Sequence, residues 1–398
     1  MYQVGIVGKP NTGKSTFFSA ATLIDVKIAS YPFTTINSNR GISYVSIKCV
    51  CKEMGVKDNP RNSKCIDGIR FIPIELIDVA GLVPDAWKGR GLGNRFLDEL
   101  RQANILIHVI DASGSTDIEG KRVKPGSHYP GEDILFLERE IDMWIFSILK
   151  KEWKAISRRL DRDKVFILTQ KLSGLGINEV DVENTLKDVG LERKRLSEWS
   201  DDNLLSFVKN VREKSKPIVI AANKIDIPIA AEYIKRLRKD FKRYTIIPVS
   251  ALAELILRKA AQSGLIRYIP GTSDFEILDE NRIDSKQLKI FEYIRENVLK
   301  KWGSTGVQKA LNTALFDILG VIAVFPVEDE NKLVDHDGNV LPDVFLVPKG
   351  TTVREFAYKI HTELGEKFIA GIDVKRKRRI SADHILTHRS IVKIVARK

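Results

Sequence analysis

Short apolar runs alternate along most of the chain with stretches that carry apolar residues at helical spacing. Six β-branched, apolar runs predict strands at Gln3–Val7, Tyr44–Val50, Phe71–Ile77, Ile105–Asp111, Pro217–Ala222 and Thr245–Val249. Helical spacing follows four of them, at Lys14–Leu23, Leu92–Ala103, Ile229–Phe241 and Ala251–Ser263. Strands that alternate with helices need crossover connections, so the pattern predicts an α/β fold with a mostly parallel sheet and helices on both faces.

Two stretches depart from this alternation and divide the chain. Residues 132–211 contain no proline and repeat Leu, Ile, Lys and Glu at helical spacing, which predicts an inserted helical subdomain. From residue 320 onward short strands and turns return, at Val321–Val327, Asp337-Gly338, Asp343–Val347 and Ile391–Ala396, with one helix near Val353–Leu364. The predicted domains are 1–131 with 212–284, the helical subdomain 132–211, a helical connector 285–319 and a small strand-rich domain 320–398.

Composition narrows the class of protein. The 398 residues are 43% hydrophobic and 29% charged, which suits a globular chain with several cores. No apolar run approaches the roughly 20 residues that a membrane helix needs, and the first strand leaves no room for a secretory signal. We therefore expect a cytoplasmic protein with no membrane partner.

The three cysteines, Cys49, Cys51 and Cys65, are too few for a disulfide framework, so no disulfide-linked partner is expected. They could form part of a zinc site, but the local pattern offers no fourth ligand. Free thiols are therefore the prediction.

Positive charge exceeds negative charge, with 65 Lys and Arg against 52 Asp and Glu, a net charge of +13. Two interpretations stay open: a protein that is simply basic, or one with an anionic partner such as nucleic acid, whose attraction weakens with salt. The densest basic run is Lys375–Arg379, for which a solvated face is the default reading.

The strongest chemical signal, G-x-x-x-x-G-K-S, directly follows the first strand. Its glycines let the backbone wrap a phosphate with N–H groups pointing inward, and a helix N-terminus faces the same anion. Lys14 can reach the β- and γ-phosphates, and the Ser15 hydroxyl can ligate Mg²⁺. The predicted phosphate-binding residues are Gly8, Pro10, Asn11, Thr12, Gly13, Lys14, Ser15 and Thr16.

A second motif, Asp78-Val-Ala-Gly81, ends the strand Phe71–Ile77. The carboxylate can hold Mg²⁺ through water, and the Gly81 N–H can meet the γ-phosphate. A threonine in the preceding loop can offer its hydroxyl to Mg²⁺ in the triphosphate state, with Thr35 favoured over Thr34 although sequence does not separate them. The predicted metal ligands are Ser15, Thr35 and Asp78, and the predicted catalytic residues are Lys14, Thr35 and Gly81.

Two further motifs predict a guanine site. Asn223-Lys-Ile-Asp226 follows the strand Pro217–Ala222, and Ser250-Ala-Leu252 follows the strand Thr245–Val249. Asp226 can accept hydrogen bonds from the guanine N1–H and amino group, which adenine does not offer. The Lys224 stem can cover the base, and backbone N–H groups near Ser250 can meet its O6. The predicted guanine-binding residues are Asn223, Lys224, Asp226, Ser250, Ala251 and Leu252.

Four motifs in this order are typical of GTPases, and three segments narrow the resemblance. Tyr31–Ile36, Asp78–Val83 and Gly89–Leu97 resemble the Obg-related GTPases, and the insert and tail resemble their YchF-like subgroup. The resemblance implies a P-loop GTPase domain and, at residues 321–398, a β-grasp module called a TGS domain. Well-known YchF-like proteins have a degraded guanine motif and can prefer ATP. This chain keeps the guanine motif intact, so the ATP preference of those proteins is not expected here.

The mechanism predicted from these residues is a slow GTPase. Leu82 stands where many GTPases carry a glutamine that orients the attacking water, so a partner or a cation has to supply the missing electrostatics. Asn11 resembles the potassium-binding residue of some related GTPases, which makes K⁺ a second candidate cation beside Mg²⁺. An Asn at this place can equally well only shape the loop.

The leading functional hypothesis is a switch that binds Mg²⁺–GTP, hydrolyses it to GDP and acts on ribosomes or other structured RNA. Two alternatives remain open: an NTPase of relaxed base choice that also uses ATP, and an RNA-binding module in which the nucleotide is structural. Nucleotide-dependent affinity for a partner separates the switch from the module.

Overall fold

The computed structural model describes residues 1–23, 39–79, 87, 99–158 and 163–397 and confirms the predicted α/β fold. Its large sheet contains β1 (Gln3–Val7), β2 (Arg40–Lys48), β3 (Lys64–Ile66), β4 (Ile69–Asp78), β5 (Ile105–Asp111), β6 (Ile218–Asn223) and β7 (Ile246–Val249). The strand order is β2-β4-β1-β5-β6-β7, with β3 paired to β4. Neighbours from β4 to β7 are parallel, whereas β2 and β3 run antiparallel to β4. The carboxyl ends of five strands therefore share one edge, where ligands of open α/β sheets bind.

Helices cover both faces of this sheet because successive strand residues alternate between two apolar clusters. Ile6 and Val7 belong to opposite clusters, as do Ile107 and Leu106. The helices up to the end of the sheet are α1 (Lys14–Thr22), α2 (Val50–Met54), α3 (Gly131–Ile156), α4 (Lys164–Leu172), α5 (Glu179–Asp188), α6 (Asp201–Ser215), α7 (Ala230–Asp240) and α8 (Ala251–Gln262). Residues 99–102 are also helical, and the rest of the helix predicted at Leu92–Ala103 lies outside the described residues.

The predicted helical insert is present as α3 to α6. Its apolar side chains join one cluster with the sheet, including Ile141, Leu168 and Phe207. Asn178 and Ser200 begin α5 and α6 with capping boxes, in which the side chain accepts from the N3 backbone while the N3 side chain accepts in return. Among the described residues, no helix is both long and apolar enough to cross a membrane.

A second sheet ends the chain. After β7 come a separate two-stranded pair, β8 (Ile266–Arg267) and β9 (Glu276–Ile277), and then five further strands. These are β10 (Val321–Val327), β11 (Phe345–Pro348), β12 (Phe368–Asp373), β13 (Arg378–Ile380) and β14 (Ser390–Ala396). The last five form a sheet in the order β11-β10-β14-β12-β13. The helices of this half are α9 (Ser285–Ile294), α10 (Val307–Asn312), α11 (Val353–Ile360) and α12 (Thr362–Glu366). A π-type segment extends α9 through residues 295–299 and is followed by a short α-helical turn, Lys300–Trp302; a second π-type segment extends α10 through residues 313–318.

The C-terminal sheet is packed against the first sheet. Phe325, Leu341 and Val344 share an apolar cluster with residues of β1 and β4. Residues 55–63, which we call the docking loop, hydrogen-bond to this half of the chain: Asn59 N donates to Val340 O at 3.0 Å, and Arg61 N donates to Pro342 O at 2.8 Å. The two sheets therefore meet through both apolar packing and a backbone ladder.

Candidate functional site

The loop between β1 and α1 has the geometry that a phosphate-wrapping backbone requires. Gly8 and Gly13 adopt φ of 155° and 92°. A Cβ at Gly8 would lie 2.5 Å from the carbonyl oxygen of Val109, and one at Gly13 would lie 2.2 Å from Nδ2 of Asn223. Both positions therefore need glycine for conformation and for space.

Lys14 and Asp78 bring the first two motifs together. The Lys14 ammonium donates to Oδ1 of Asp78, so the carboxylate at the end of β4 lies against the phosphate loop. Ser15 follows Lys14 at the start of α1 and lines the same cleft. A hydroxyl and a carboxylate are the hard oxygen donors that Mg²⁺ prefers, so the residues present fit this ion.

Asn223 at the end of β6 joins the third motif to the first. Its Nδ2 donates to the carbonyl oxygen of Thr12 at 2.8 Å, and its Oδ1 accepts from the Ala251 N–H at 3.0 Å. All three residues are buried. The amide of Asn223 therefore fixes the phosphate loop relative to the start of α8.

Lys224 is oriented by a carboxylate on the neighbouring strand. Its Nζ donates to Oδ2 of Asp111 at 2.8 Å and to Oγ of Ser115 at 3.1 Å, and its φ is 68°. Burial alone would raise the pKa of Asp111, but Lys224 and the Ser113 and Ser115 hydroxyls lower it overall. Asp111 therefore stays ionised and keeps the Lys224 stem at the wall of the cleft.

Asp226 and Ser250 form the part of the cleft predicted to read a base. The Ser250 hydroxyl donates to Oδ1 of Asp226 at 3.0 Å, and it caps the start of α8 by accepting from the Ala253 N–H. Tyr293 supports the same turn because its hydroxyl donates to the Asp226 carbonyl oxygen at 3.0 Å. The Asp226 carboxylate is thus positioned by hydrogen bonds at the mouth of the cleft.

These groups surround a cleft of about 880 Å³ at the carboxyl edge of the sheet. The predicted site residues that line it are Pro10, Asn11, Gly13, Lys14, Ser15, Thr16, Asn223, Lys224, Asp226, Ser250 and Leu252. Gly8, Thr12 and Ala251 lie behind them and shape the loops. Thr34, Thr35, Gly81, Leu82 and the segment Gly89–Leu97 lie outside the described residues.

Sequence reasoning missed the segment after β5, residues 113–128, which we call the cover segment. It lies over the phosphate loop: Asn11 Nδ2 donates to the Gly120 carbonyl oxygen at 2.9 Å, and a Cβ at Gly120 would lie 2.8 Å from the Pro10 carbonyl oxygen. Arg122 and Val123 of this segment line the cleft. The one sequence signal for it was Asp111, a carboxylate at the carboxyl end of a predicted strand.

A buried ion pair anchors the same loop from below. Lys9 Nζ donates to Oδ1 of Asp133 at 2.7 Å and to the Thr116 carbonyl oxygen at 3.0 Å, and His128 contacts the same carboxylate oxygen at 2.8 Å. Both members of the Lys9–Asp133 pair are almost fully buried. The phosphate loop is therefore connected to α3 as well as to β6.

Family comparisons match three parts of the chain. The model described as 50S ribosome-binding GTPase matches residues 3–140, Obg-like GTPase YGR210-like, G4 motif-containing domain, matches residues 221–329, and TGS domain matches residues 335–396. An uncharacterized GTP-binding protein of Methanocaldococcus jannaschii is 53% identical over 399 residues, covering 100% of this chain and 99% of its own.

Two further relatives extend the comparison. The crystal structure of a GTP-binding protein from Pyrococcus horikoshii aligns over 99% of both chains with 43% identity and a TM-score of 0.79. The ribosome-binding ATPase YchF of Mycoplasma pneumoniae is 30% identical over 292 residues, which are 70% of this chain and 75% of that protein.

Proposed function

Because this chain belongs to the YchF-like branch of the Obg-related P-loop GTPases, with a C-terminal TGS domain, we propose that it is a guanine-nucleotide switch. In this proposal the cleft binds Mg²⁺–GTP, the chain hydrolyses it slowly to GDP, and the two states differ in affinity for the ribosome or other structured RNA.

The base-reading half of the cleft carries the proposal. Asp226 offers two carboxylate oxygens at the mouth of the cleft, and Ser250 holds one of them in place. Guanine presents two adjacent donors to such a carboxylate, whereas adenine leaves it without a partner, which is costly in a desolvated site. Since Asn223 already links this half to the phosphate loop, one ligand can span both.

For the metal, Ser15 and Asp78 are the proposed ligands among the described residues, and Thr35 is the proposed third. When bound, Mg²⁺ would neutralise charge on the β- and γ-phosphates. When nucleotide binds, Lys14 would leave its ion pair with Asp78 and contact the phosphates instead. Lys14 thus serves as an ion-pair partner in one state and a phosphate ligand in the other.

Slow hydrolysis is proposed from Leu82, which offers no hydrogen bond to a water. The contact of Asn11 with Gly120 supports its loop-shaping role, and K⁺ binding at Asn11 stays a separate proposal. Equal GTP turnover in KCl and NaCl would contradict the K⁺ proposal and leave the rest intact.

The ribosome is proposed as the partner on two grounds. A relative is named a ribosome-binding ATPase, and the chain carries a net charge of +13 that favours polyanions. A switch has to bind its partner differently in its two nucleotide states, since equal affinity shifts no equilibrium. A role on the ribosome would place the chain in the cytoplasm.

Calorimetry with GTP, GDP, ATP and xanthosine triphosphate tests the nucleotide proposal. The wild-type chain should bind GTP and GDP more tightly than ATP. Asp226→Asn should weaken the affinity for GTP roughly 10- to 150-fold, the equivalent of about 1.5–3 kcal/mol for a hydrogen bond to a charged group. The same variant should bind xanthosine triphosphate more tightly than the wild-type chain does. Xanthine replaces the amino donor by a carbonyl oxygen that the new amide can meet.

The matched control is Asp202→Asn in the exposed first turn of α6, which should leave all four affinities unchanged. Equal affinity of the wild-type chain for ATP and GTP would instead support the relaxed-base alternative, which the name of the Mycoplasma relative favours. No binding of any nucleotide would contradict the proposal altogether.

A further inference from the structure

The three cysteines and one aspartate converge at the end of the large sheet remote from the cleft. Cys49 precedes α2, Cys51 lies within it, Asp58 belongs to the docking loop and Cys65 to β3. Their ligand atoms all lie within 4.8 Å of one another. We call these residues the four-donor cluster.

The spacing within the cluster is that of ligands around one small cation. Sγ of Cys51 and Sγ of Cys65 are 3.8 Å apart, and Sγ of Cys49 lies 3.2 Å from Oδ2 of Asp58. Zn–S bonds of about 2.3 Å at tetrahedral angles place two sulfur ligands about 3.8 Å apart. A disulfide, in contrast, needs about 2.05 Å, and all three cysteines are free.

We propose that the four-donor cluster is a structural zinc site, Cys₃Asp, that secures the docking loop. Three sulfur donors select a soft or borderline cation, and four protein ligands without an open position are typical of structural rather than catalytic zinc. The expectation of free thiols rested on a missing fourth ligand. Asp58 supplies it from seven residues beyond Cys51.

The surroundings of the cluster suit this charge. Arg70, whose side chain is fully buried, places Nη2 3.2 Å from Oδ2 of Asp58. It also donates to the Ser63 hydroxyl at 3.0 Å and to the Leu341 carbonyl oxygen at 2.7 Å. Such a partner orients a ligating carboxylate and offsets part of the negative charge of three thiolates and a carboxylate.

The site has a structural consequence because Asp58 directly precedes the residues that dock the C-terminal half. Besides the backbone ladder of Asn59 and Arg61, Asn62 Nδ2 donates to the Val344 carbonyl oxygen at 3.0 Å. A cation that ties Asp58 to Cys49, Cys51 and Cys65 would therefore hold the docking loop in its bound shape.

Metal analysis of the full chain, with any affinity tag removed, tests the proposal. After dialysis against metal-free buffer the wild-type chain should retain one zinc ion per chain. Replacement by Co²⁺ should give intense visible bands of tetrahedral cobalt together with thiolate-to-cobalt charge transfer. Ellman's reagent should react with the three thiols at least tenfold faster after strong chelation than in the zinc-loaded chain.

Variants separate the cluster from its neighbourhood. Cys65→Ser should lose zinc retention and the thiolate band, whereas Asp67→Asn, an exposed acid two residues away that pairs with Arg267, should keep both. Even if Cys65→Ser folds poorly, the cobalt spectrum of the wild-type chain still tests whether the thiolates bind the metal. Zinc lost on dialysis, cobalt without a thiolate band, iron in place of zinc, or a Cys51–Cys65 disulfide in anaerobically purified protein would each overturn the proposal.

Discussion

Asn223 shows how one side chain can serve two parts of a site. Sequence places it in the base-reading motif, but its amide contacts the Thr12 carbonyl oxygen and the Ala251 N–H. We predict that Asn223→Ala weakens GTP, GDP and ATP by a similar factor, because it loosens the phosphate loop that all three share. Two lost hydrogen bonds correspond to about 1–3 kcal/mol. Calorimetry that finds a loss for guanine nucleotides alone would contradict this and assign Asn223 to the base.

A buried histidine makes stability depend on pH. His108 on β5 is fully buried, and burial lowers its pKa from 6.5 to about 4, with Lys9 adding to the shift and Asp133 opposing it. Its Nδ1 finds no hydrogen-bond partner among the described residues. Between pH 6.5 and about 4, His108 is protonated in the unfolded chain but neutral in the folded chain. The free energy of unfolding therefore falls as the pH drops through this range.

We predict that His108→Leu flattens this part of the pH profile. The wild-type chain should lose up to about 3 kcal/mol of unfolding free energy through this one group, and the variant should not. Urea unfolding at intervals between pH 4 and 7 measures the difference between the two chains. Parallel profiles for both would show that the histidine is protonated in the fold.

At the scale of elements, the ion pair between the phosphate loop and α3 is a connection that can be cut. Asp133→Asn should destabilise the chain by about 3–5 kcal/mol, because Lys9 then lies buried without a counter-charge. The double variant Lys9→Met with Asp133→Leu should recover most of that loss. Glu119→Gln, which breaks the exposed pair with Lys121, is the control and should cost less than about 1 kcal/mol. A double variant as unstable as Asp133→Asn would contradict the argument.

Elements with a continuous local signal could be predicted, and those formed by distant contacts could not. β1 and β5 have the predicted bounds because each is a short, mostly apolar run that is contiguous in sequence. β12 and β13 were missed because Gly371 and the basic run interrupt their pattern. The helix predicted at Val353–Leu364 is broken at His361, whose extended backbone ends α11 and begins α12.

The candidate site follows the same division. The residues of the four motifs were predicted from contiguous sequence, and most of those that the structure describes line one cleft, while Asp78 contacts Lys14 beside it. The contacts of Lys9 with Asp133 and of Lys224 with Asp111 join residues more than 100 positions apart, so no local pattern reveals them. Asp58 escaped notice for a related reason, since a loop of irregular shape returns it to the cysteines.

At the scale of the whole molecule, the basic run divides into two kinds of residue. Lys375 pairs with Glu53 at 3.0 Å and Arg376 with Asp373 at 3.3 Å, whereas Lys377 and the β13 residues Arg378 and Arg379 are exposed and form no ion pair with the described residues. The paired residues have partners within the chain, so the β13 arginines are the better candidates for contact with RNA phosphates.

We predict that Arg378→Glu with Arg379→Glu weakens ribosome binding and reduces the salt slope of the affinity by about 2, one for each phosphate contact. Lys235→Glu with Lys239→Glu on α7 changes the net charge equally and should have a smaller effect. Co-sedimentation with ribosomes at several KCl concentrations measures both. Equal salt slopes of ribosome affinity for the two variants would contradict this prediction and indicate that the β13 arginines form only a solvated face.

Arg70 tests how far the two ends of the large sheet are independent. It lies at the start of β4 and stacks 5.4 Å from the ring of Phe325 on the C-terminal sheet, while Asp78 ends the same strand at the cleft. Eight residues of strand at about 3.3 Å each separate them by roughly 26 Å. A substitution at Arg70 should therefore weaken the packing of the C-terminal half against the first sheet without changing nucleotide affinity.

We predict that Arg70→Met costs about 3–5 kcal/mol, because Asp58 and the Leu341 carbonyl oxygen lose a buried partner. Thermal unfolding should broaden or split into two transitions as the C-terminal sheet separates first, while GTP affinity at 25 °C stays within about twofold of wild type. Calorimetry of unfolding and of binding on the same protein measures both. A parallel loss of nucleotide affinity would show that the docking surface and the cleft are coupled along β4.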